Sequence, residues 1–229
     1  MRIHCLGGGL VGAFVTRKLV QEGFDVHLFD VVERHTPAQF HLQSALEADH
    51  APADIVVNMV PGSIGHEVLI SLANNNHRIV DLSFSETTPD ALVENNSTIL
   101  WDVGVAPGLS NMLVALASRR YGQLDSVTIK VGGNPAQPDG EWSYMAPFSP
   151  HDVIAEYTRP ARIVKEGNET VVPAMSELHT IKALFLRLFD VTTYFAAVVS
   201  FTANINYHKV FWHTNWNNCL PSFFGIRVG

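Results

Sequence analysis

The residues best suited to chemistry form the run GGGLVG, which begins at Gly7 directly after an apolar stretch. This G-x-G-x-x-G spacing opens an amphipathic segment, as it does where a strand turns into a nucleotide-binding helix. Gly7 permits the tight turn, Gly9 lets the backbone approach a pyrophosphate, and Gly12 allows the helix to pack closely on the strand. The helix N-terminus, which starts with Leu10 and Val11, then receives the phosphate charge. The run therefore predicts a dinucleotide-binding turn.

An acidic residue, Asp30, ends the next predicted strand, eighteen residues beyond the last glycine of the run. A carboxylate at this place accepts hydrogen bonds from the adenosine ribose hydroxyls and so favours NAD over NADP. Arg34 could instead meet a 2′-phosphate, although an arginine there is more often a solvated helix residue. We therefore expect NAD, with NADP the lesser candidate. A glycine turn that merely joins a strand to a helix is the alternative for the whole motif.

Length and charge exclude several classes of protein. The 229 residues are enough for one large domain or one and a half. A net charge of -7 with scattered basic residues gives nucleic acid no basic surface to bind. The N-terminus lacks the features of a secretory signal, and the apolar segment at residues 191–203 is too short to span a bilayer. We expect a cytoplasmic protein without a nucleic-acid or membrane partner.

The two cysteines, Cys5 and Cys219, lie far apart in the chain. Their spacing fits neither a disulfide framework nor a metal site, so no metal is expected. Cys5 falls inside the first predicted strand, where a cysteine acts as a small core residue.

Strands and helices alternate along the first half of the chain, which predicts an α/β fold with a Rossmann-type, doubly wound parallel sheet. Helix one is expected to bury an apolar face that includes Leu10, Phe14, Leu19 and Val20. Residues 31–50 are expected to form a short helix and a connection. The predicted strands are 3–6, 25–29, 54–60, 78–83 and 98–103, and the predicted helices are 10–22, 65–74, 89–95 and 109–121.

The pattern changes after residue 122, which predicts a second region of different architecture. A strand at 126–131, a loop at 132–147 and a hairpin at 162–172 indicate an incomplete α+β domain for substrate binding or dimerisation. Residues 183–229 are rich in aromatic residues and poor in charge, and are unlike the rest of the chain. We therefore predict a nucleotide-binding domain at 1–122, a partial substrate domain at 123–182 and an atypical segment at 183–229.

Several further segments, and the order in which they occur, carry a family resemblance. Together with the glycine run, they are Asp54–Pro61, Ile79–Phe84, Asp102–Asn111, Gly132–Pro135 and Ser149–Pro160. The ordered set resembles the saccharopine dehydrogenase superfamily, and within it most closely the lysine 6-dehydrogenase branch. The resemblance runs from residue 2 to about 178, beyond which we expect a truncated or altered C-terminus. It implies NAD(P)-linked oxidation of the amine of a small amino acid, and a homo-oligomer in the full-length family form.

The resemblance also implies roles for residues that follow predicted strands. Ligands of open α/β sheets bind at the carboxyl ends of the strands. The residues expected there to line the cofactor ribose and nicotinamide are Val60, Pro61, Asp81, Leu82 and Ser83. The alternative for Asp81 is a turn or helix-cap acid.

The segment from Asp102 to Asn111 is the expected substrate site. Its turn delivers a new helix whose N-terminus could hold a substrate carboxylate, although the same residues could simply cap that helix. The expected substrate-binding residues are Gly104, Val105, Pro107, Gly108, Ser110 and Asn111. His151 and Tyr157 are secondary candidates, with a surface histidine and a core tyrosine as the alternatives.

Oxidation of an amine requires its unprotonated form, so a base or a polar group beside the amine would help hydride departure. Asp102 is the expected catalytic residue, either as that base or as a carboxylate that orients the ammonium. The imine would then hydrolyse to a semialdehyde and ammonia. Glutamate-forming saccharopine reductases, as the resemblance implies, typically carry an acid at the equivalent of Ala106 and a cysteine near Val131. Neither is present here, which argues against saccharopine as the substrate. The alternatives are a saccharopine or carboxynorspermidine dehydrogenase, and a catalytically silent NAD-binding protein.

Overall fold

The computed structural model describes residues 1–84, 97–105, 108–124, 127–130, 149–165, 168–174 and 225–228. Over these residues the elements follow in the order β1 (Arg2–Leu6), α1 (Leu10–Gln21), β2 (Asp25–Asp30), β3 (Gln39–Leu42), β4 (Ile55–Asn58), α2 (Gly62–Asn74), β5 (Arg78–Asp81), β6 (Thr98–Leu100), α3 (Leu109–Tyr121), β7 (Val127–Lys130), α4 (Pro150–Thr158), β8 (Ala161–Lys165), β9 (Asn168–Val172) and β10 (Gly225–Val228).

The first six strands form one parallel sheet in the order β3-β2-β1-β4-β5-β6. This is the strand order of a dinucleotide-binding Rossmann sheet, with the direction of winding reversed between β1 and β4. The predicted α/β fold is therefore confirmed. Both faces of the sheet are covered, which explains why β1, β2 and β4 bury nearly all of their residues.

Alternate residues of each strand face opposite sides of the sheet and enter two separate cores. Ile3 and Cys5 of β1 pack with Val26 and Leu28 of β2 on the side of α1, and Cys5 is fully buried as predicted. Leu6 and the neighbouring strands pack on the other side against Val68, Leu69, Leu72 and Ala73 of α2.

The predicted apolar face of α1 is only partly correct. Leu19 and Val20 pack against the core, but Leu10 and Phe14 are 69% and 56% exposed. The buried residues of this helix are the small Gly12 and Thr16. Small residues let the helix lie close to the sheet, so its large apolar side chains at the N-terminal end point outward.

The prediction of a helix within residues 31–50 was wrong. This segment contains β3, which pairs in parallel with β2 at the edge of the sheet. The other predicted strands and helices of the sheet region are confirmed to within a few residues, as are α3 and the β8–β9 hairpin. The helix predicted at 89–95 and the loop predicted at 132–147 lie outside the described residues.

The chain divides into two compact units. The first contains Met1–Leu109 and Pro147–Val153, and the second contains Ser110–Ala146 and Ile154–Gly229. In the second unit, β10 pairs antiparallel with β7, so the end of the segment expected to be atypical contributes a strand. The predicted domain limits at 122 and 182 stay predictions. No helix in the described ranges is long and apolar enough to cross a membrane.

A cluster of imidazoles lies on the α2 side of the sheet, where aliphatic side chains are the usual filling. We call it the histidine cluster; it consists of His4, His27, His41, His50 and His77. The Nδ1 atoms of His4 and His50 are 3.0 Å apart, and His27 Nδ1 is 2.9 Å from His41 Nε2. At these distances one nitrogen of each pair donates and the other accepts, which requires that at least one ring of each pair be neutral.

Protonation of four histidines of this cluster, His4, His41, His50 and His77, is unfavourable in the folded chain. Burial, reinforced by repulsion from His50 and the other neighbouring imidazoles and from Arg2, lowers the pKa of His4 from 6.5 to about 4. Burial also lowers the pKa of His41, His50 and His77. The unfolded chain therefore binds protons at a higher pH than the folded chain, and stability declines as the pH falls below about 6.5.

The first prediction concerns the pH dependence of this stability. Because the pKa of His4 drops to about 4 on folding, that residue alone should remove about 2 kcal/mol from the free energy of unfolding between pH 7.5 and 5. Urea denaturation at the two pH values measures the loss. His4→Leu should show a correspondingly smaller loss, because the imidazole that resists protonation is gone.

The control is His35→Gln, which removes an exposed imidazole and should leave the pH dependence unchanged. Carboxylates titrate alike in all three proteins, so their contribution cancels when the losses are compared. Equal losses in the wild type and in His4→Leu would contradict the assignment.

Candidate functional site

The point where the winding of the sheet reverses lies between β1 and β4. From these neighbouring strands the chain leaves in opposite directions, to β2 on one side and to β5 on the other. Such a reversal opens a crevice outside the carboxyl ends of the strands, and open α/β sheets bind ligands there. The glycine run follows β1, and Val60 and Pro61 follow β4, so both predicted segments meet at this crevice.

The glycines of the run have the geometry of a pyrophosphate cradle. Gly7 has a φ of +90°, which side chains rarely adopt, and a Cβ atom there would be 2.8 Å from the Met59 carbonyl oxygen. A Cβ atom on Gly12 would overlap the carbonyl oxygen of Gly7. In contrast, nothing lies within 4 Å of the place where Gly9 would carry a Cβ atom. Gly7 and Gly12 are thus packed against neighbouring backbone, whereas the space beside Gly9 is open.

The N-terminus of α1 is also free to receive an anion. Gly9 is its N-cap residue and makes no side-chain cap hydrogen bond, and the first turn carries no acidic residue. The first backbone N–H groups of a helix lack partners within the helix, and its dipole favours negative charge there. Leu10 and Val11 begin the helix and are exposed. These residues fit the diphosphate of a dinucleotide.

Asp30 sits beside this cradle and is already held by three donors. Its Oδ2 accepts hydrogen bonds from the Gly8 N–H at 2.6 Å and from Arg34 Nε at 3.0 Å, and its Oδ1 accepts one from the Val32 N–H at 2.9 Å. Burial of Asp30 opposes its ionisation, but the two backbone donors and the Arg34 guanidinium outweigh burial and lower the pKa of the carboxyl. The carboxylate is therefore charged at neutral pH and fixed in place.

The alternative interpretation of Arg34, as a solvated helix residue, was wrong about the helix. Arg34 lies in the non-helical connection between β2 and β3, and its side chain extends over Gly8, where a Cβ atom would be 2.9 Å from the Arg34 Cγ. A cation and a carboxylate thus stand together at the place predicted for the adenosine ribose. The carboxylate suits ribose hydroxyls, whereas the guanidinium suits a 2′-phosphate.

A second acidic group, Asp81, ends β5 and belongs to a buried polar cluster with Asn58 and Ser83. Its Oδ1 accepts hydrogen bonds from Asn58 Nδ2 at 2.7 Å and from Ser83 Oγ at 2.9 Å. Asn58 Nδ2 also donates to the carbonyl oxygen of Gly65 in α2 at 3.2 Å, while its Oδ1 is buried without a partner. The cluster therefore joins the ends of β4 and β5 to the first turns of α2.

Asp81 is only 2% exposed, so its side chain is closed off from solvent. Burial, together with repulsion from Asp102, raises the pKa of its carboxyl to about 6, against the opposing hydrogen bonds from Ser83 and Asn58. The structure thus favours the turn-acid interpretation of this side chain over direct cofactor contact. Leu82 and Ser83 follow it directly, and Ser83 is buried as well.

Asp102, the predicted catalytic residue, follows β6 at the same edge of the sheet. It has a φ of +55°, a left-handed conformation that costs a side-chain-bearing residue about 1 kcal/mol. The next residue, Val103, donates its N–H to the carbonyl oxygen of Asp81 at 3.0 Å, which fixes the backbone beside Asp102. Strain of this kind in an acidic residue at a ligand-binding edge is consistent with a functional role.

The turn after Asp102 is also tightly closed. Gly104 and Gly108 form a bridge, and a Cβ atom on Gly108, whose φ is +122°, would be 2.7 Å from the Asp102 carbonyl oxygen. Val105 is exposed in this turn, and Pro107 lies outside the described residues. Leu109 donates its N–H to the Gly104 carbonyl at 2.9 Å and begins α3.

The remaining predicted substrate residues lie on α3 and α4. Ser110 is buried, and its hydroxyl donates to the Asn111 Oδ1 at 3.3 Å. Asn111 itself is exposed at the start of α3. His151 is exposed in the first turn of α4 and belongs to the first compact unit, whereas Tyr157 is half-buried and belongs to the second. Among the described residues, no group of three metal-ligating side chains could hold a metal ion.

Three residues of the site were not singled out from the sequence. Gly8 supplies the backbone N–H that fixes Asp30, and Asn58 and Gly65 complete the surroundings of Asp81. The signal for Asn58 was an amide at the end of an otherwise apolar strand. Val60, which was predicted to line the cofactor, packs in the core, so only its backbone is available to a ligand. Pro61, predicted with it, is exposed as the N-cap of α2.

One family model matches part of the chain. Residues 104–213, slightly less than half of the 229 residues, match the saccharopine dehydrogenase C-terminal domain.

Solved structures match the chain at low sequence identity. Apo saccharopine dehydrogenase (L-Glu forming) from Saccharomyces cerevisiae is 17% identical, with a TM-score of 0.51 over 88% of this chain and 54% of that chain. Pyrroline carboxylate reductase from Plasmodium falciparum, with NADP bound, is 15% identical, with a TM-score of 0.37 over 44% of this chain and 41% of that chain. This chain thus spans about half the length of the structures it matches. The family-model match supports the predicted resemblance to the saccharopine dehydrogenase superfamily, and the yeast structure shares the fold.

Proposed function

We propose that this chain is an NAD(P)-binding oxidoreductase of the saccharopine dehydrogenase superfamily that oxidises the amine of an amino acid, with L-lysine the first candidate. The observation that carries the proposal is the cradle at the end of β1, where Gly7 and Gly12 pack against neighbouring backbone and the space beside Gly9 is open. An uncapped helix N-terminus and a fixed carboxylate, Asp30, lie beside it. These are the three parts that a dinucleotide requires.

Each part has a distinct task. The free N–H groups of α1 bind the diphosphate, and Asp30 accepts hydrogen bonds from the adenosine ribose. Arg34 remains available to a 2′-phosphate, so we propose NAD as the preferred cofactor and NADP as a weaker ligand. When bound, the nicotinamide supplies the hydride acceptor.

Asp102 is the residue proposed to act on the substrate. Its carboxylate pairs with the substrate ammonium and orients it, or takes a proton from it so that the amine is neutral when hydride leaves. Hydrolysis of the resulting imine gives the semialdehyde and ammonia. The strained backbone of Asp102 and its place at the carboxyl edge of the sheet support this role.

The second prediction separates binding from folding at the cradle. Gly9→Ala should fold with an unchanged melting temperature, because its φ of -66° suits alanine and the space around it is open. The added methyl group occupies the path of the diphosphate, so NADH affinity should fall at least about tenfold. Fluorescence titration with NADH measures the affinity. Gly12→Ala is the matched comparison, and it should be destabilised because its Cβ atom overlaps the Gly7 carbonyl. Unchanged NADH affinity in Gly9→Ala would place the diphosphate elsewhere.

The third prediction concerns cofactor choice. Arg34→Ala should weaken NADPH binding at least about tenfold relative to NADH binding, because a charge-assisted contact to the 2′-phosphate is removed. Arg34 is the cleaner position to change, since replacing Asp30 would also release the Gly8 N–H. Equal effects on the two cofactors would show that Arg34 only supports Asp30. Parallel titrations of the wild type with NADH and NADPH give the starting preference, which we expect to favour NADH.

The fourth prediction concerns turnover. Wild-type protein with NAD and L-lysine at mildly alkaline pH should form NADH, detected by absorbance, and Asp102→Asn should lower kcat/KM at least about a hundredfold. Glu47→Gln removes an exposed carboxylate elsewhere in the first unit and should have no effect. NADH formed from saccharopine or carboxynorspermidine, and not from lysine, would reassign the substrate. Cofactor binding without turnover of any of them would favour a silent NAD-binding protein.

A further inference from the structure

We propose that Asp81 is a positioning residue whose buried negative charge, beside Asp102, makes the site bind the oxidised, cationic nicotinamide more tightly than the reduced, neutral one. The inference rests on the proposed binding of NAD. Asp81 is only 2% exposed and so does not itself contact the ligand. The proposed role is to act on the ligand at a distance, through its charge.

The first argument is the lack of a compensating cation. Asp30 pairs with Arg34, and Asp25 pairs with Arg2. Among the described residues, the Asp81 carboxylate has only neutral hydrogen-bonding partners: the Asn58 amide, and the hydroxyl and backbone N–H of Ser83. A buried charge that no cation neutralises acts on its surroundings through a low effective dielectric constant. The charge is therefore available to act on a cationic ligand at the edge of the sheet.

The second argument is that the side-chain hydrogen bonds of the cluster do not require the charge. An asparagine at position 81 would still accept, through its carbonyl oxygen, the hydrogen bonds that Asn58 Nδ2 and Ser83 Oγ donate to the Asp81 Oδ1. Burying a charge without a counterion is unfavourable for folding. The acid therefore costs stability that an amide would not, which points to a role outside folding.

The third argument is location. Asp81 ends β5 and Asp102 follows β6, so both acids lie where open α/β sheets bind their ligands. Burial is the main cause of the raised pKa of Asp81, and repulsion from Asp102 adds to it, so the two carboxylates lie close enough to interact. The Asp81 carbonyl oxygen also accepts the Val103 N–H and so fixes the backbone next to Asp102. Asp81 thus acts on the site in two ways: its carbonyl oxygen fixes the backbone beside Asp102, and the negative charge of its side chain attracts a cationic ligand.

The pH dependence follows from the charged groups around the cluster. Asp102 is the acid that acts on Asp81, α2 carries His66 and Glu67 in its second turn, and α4 brings Asp152 beside Gly62. The strands on either side, β4 and β6, have no ionisable side chain. Because the pKa of Asp81 is raised to about 6, its charge is present above that pH and lost below it. The preference for NAD⁺ over NADH should therefore increase with pH through this range.

The test measures dissociation constants of NAD⁺ and NADH for the wild type, Asp81→Asn and Glu67→Gln between pH 5.5 and 8. In the wild type, the affinity ratio of NAD⁺ to NADH should rise with pH. At pH 8, Asp81→Asn should weaken NAD⁺ binding at least about fivefold and leave NADH binding within about twofold, as expected for loss of one nearby charge. Glu67→Gln removes an exposed carboxylate from α2 and should retain the wild-type ratio and its pH dependence.

A purely structural role for Asp81 would change both affinities together, and that result would overturn the inference. So would a wild-type ratio that does not vary with pH, a measurement that needs no variant to fold. Urea denaturation at pH 8 should show Asp81→Asn to be at least as stable as the wild type. If the folded wild type binds neither cofactor, the proposed function fails, and this inference fails with it.

Discussion

The approach of backbone to backbone at the end of β1 is the constraint on which the rest of the site depends. Gly7, Gly12 and Met59 lie so close together that neither glycine leaves room for a Cβ atom. This contact presses the start of α1 against the edge of the sheet and points its free N–H groups outward. The position of Asp30 follows from it, because the carboxylate is fixed by the N–H of Gly8 within the same turn.

The acids of the first unit illustrate two ways of holding a carboxylate in a fold. Asp30 is surrounded by donors and a guanidinium, so ionisation is favoured and the group is a permanent anion. Asp81 is placed among neutral partners in a deeper position, so its ionisation is disfavoured. The same chemical group thus behaves in two ways at one edge of one sheet. The difference is set by burial, by the backbone N–H groups of Val32 and Gly8 that donate to Asp30, and by Arg34.

Much of the first unit could be predicted from local sequence signals. The glycine spacing identified α1 and the acid at the end of β2, because both are fixed by the geometry of one turn. The strand β3 was missed because it is short, lies at the sheet edge, and carries Gln39 and His41 among its four residues. Leu10 and Phe14 were placed in the core because helical periodicity does not show that small residues, Gly12 and Thr16, make the contact.

The polar cluster could not be predicted for a different reason. Asn58 and Asp81 are 23 residues apart, and they become neighbours only through the register of β4 and β5. Arg34 likewise required knowledge that its segment is a connection and not a helix. Side-chain pairs that depend on strand register or on the path of a loop leave no periodic trace in a single sequence.

Gly65 of α2 limits which substitutions the site can tolerate. A Cβ atom at this position would overlap the Ser83 side chain, so the helix and the segment after β5 share one small volume. Neither position can grow unless the other shrinks or the helix moves away from the sheet. We therefore expect a substitution that enlarges one of these residues to be tolerated only together with a compensating change at the other.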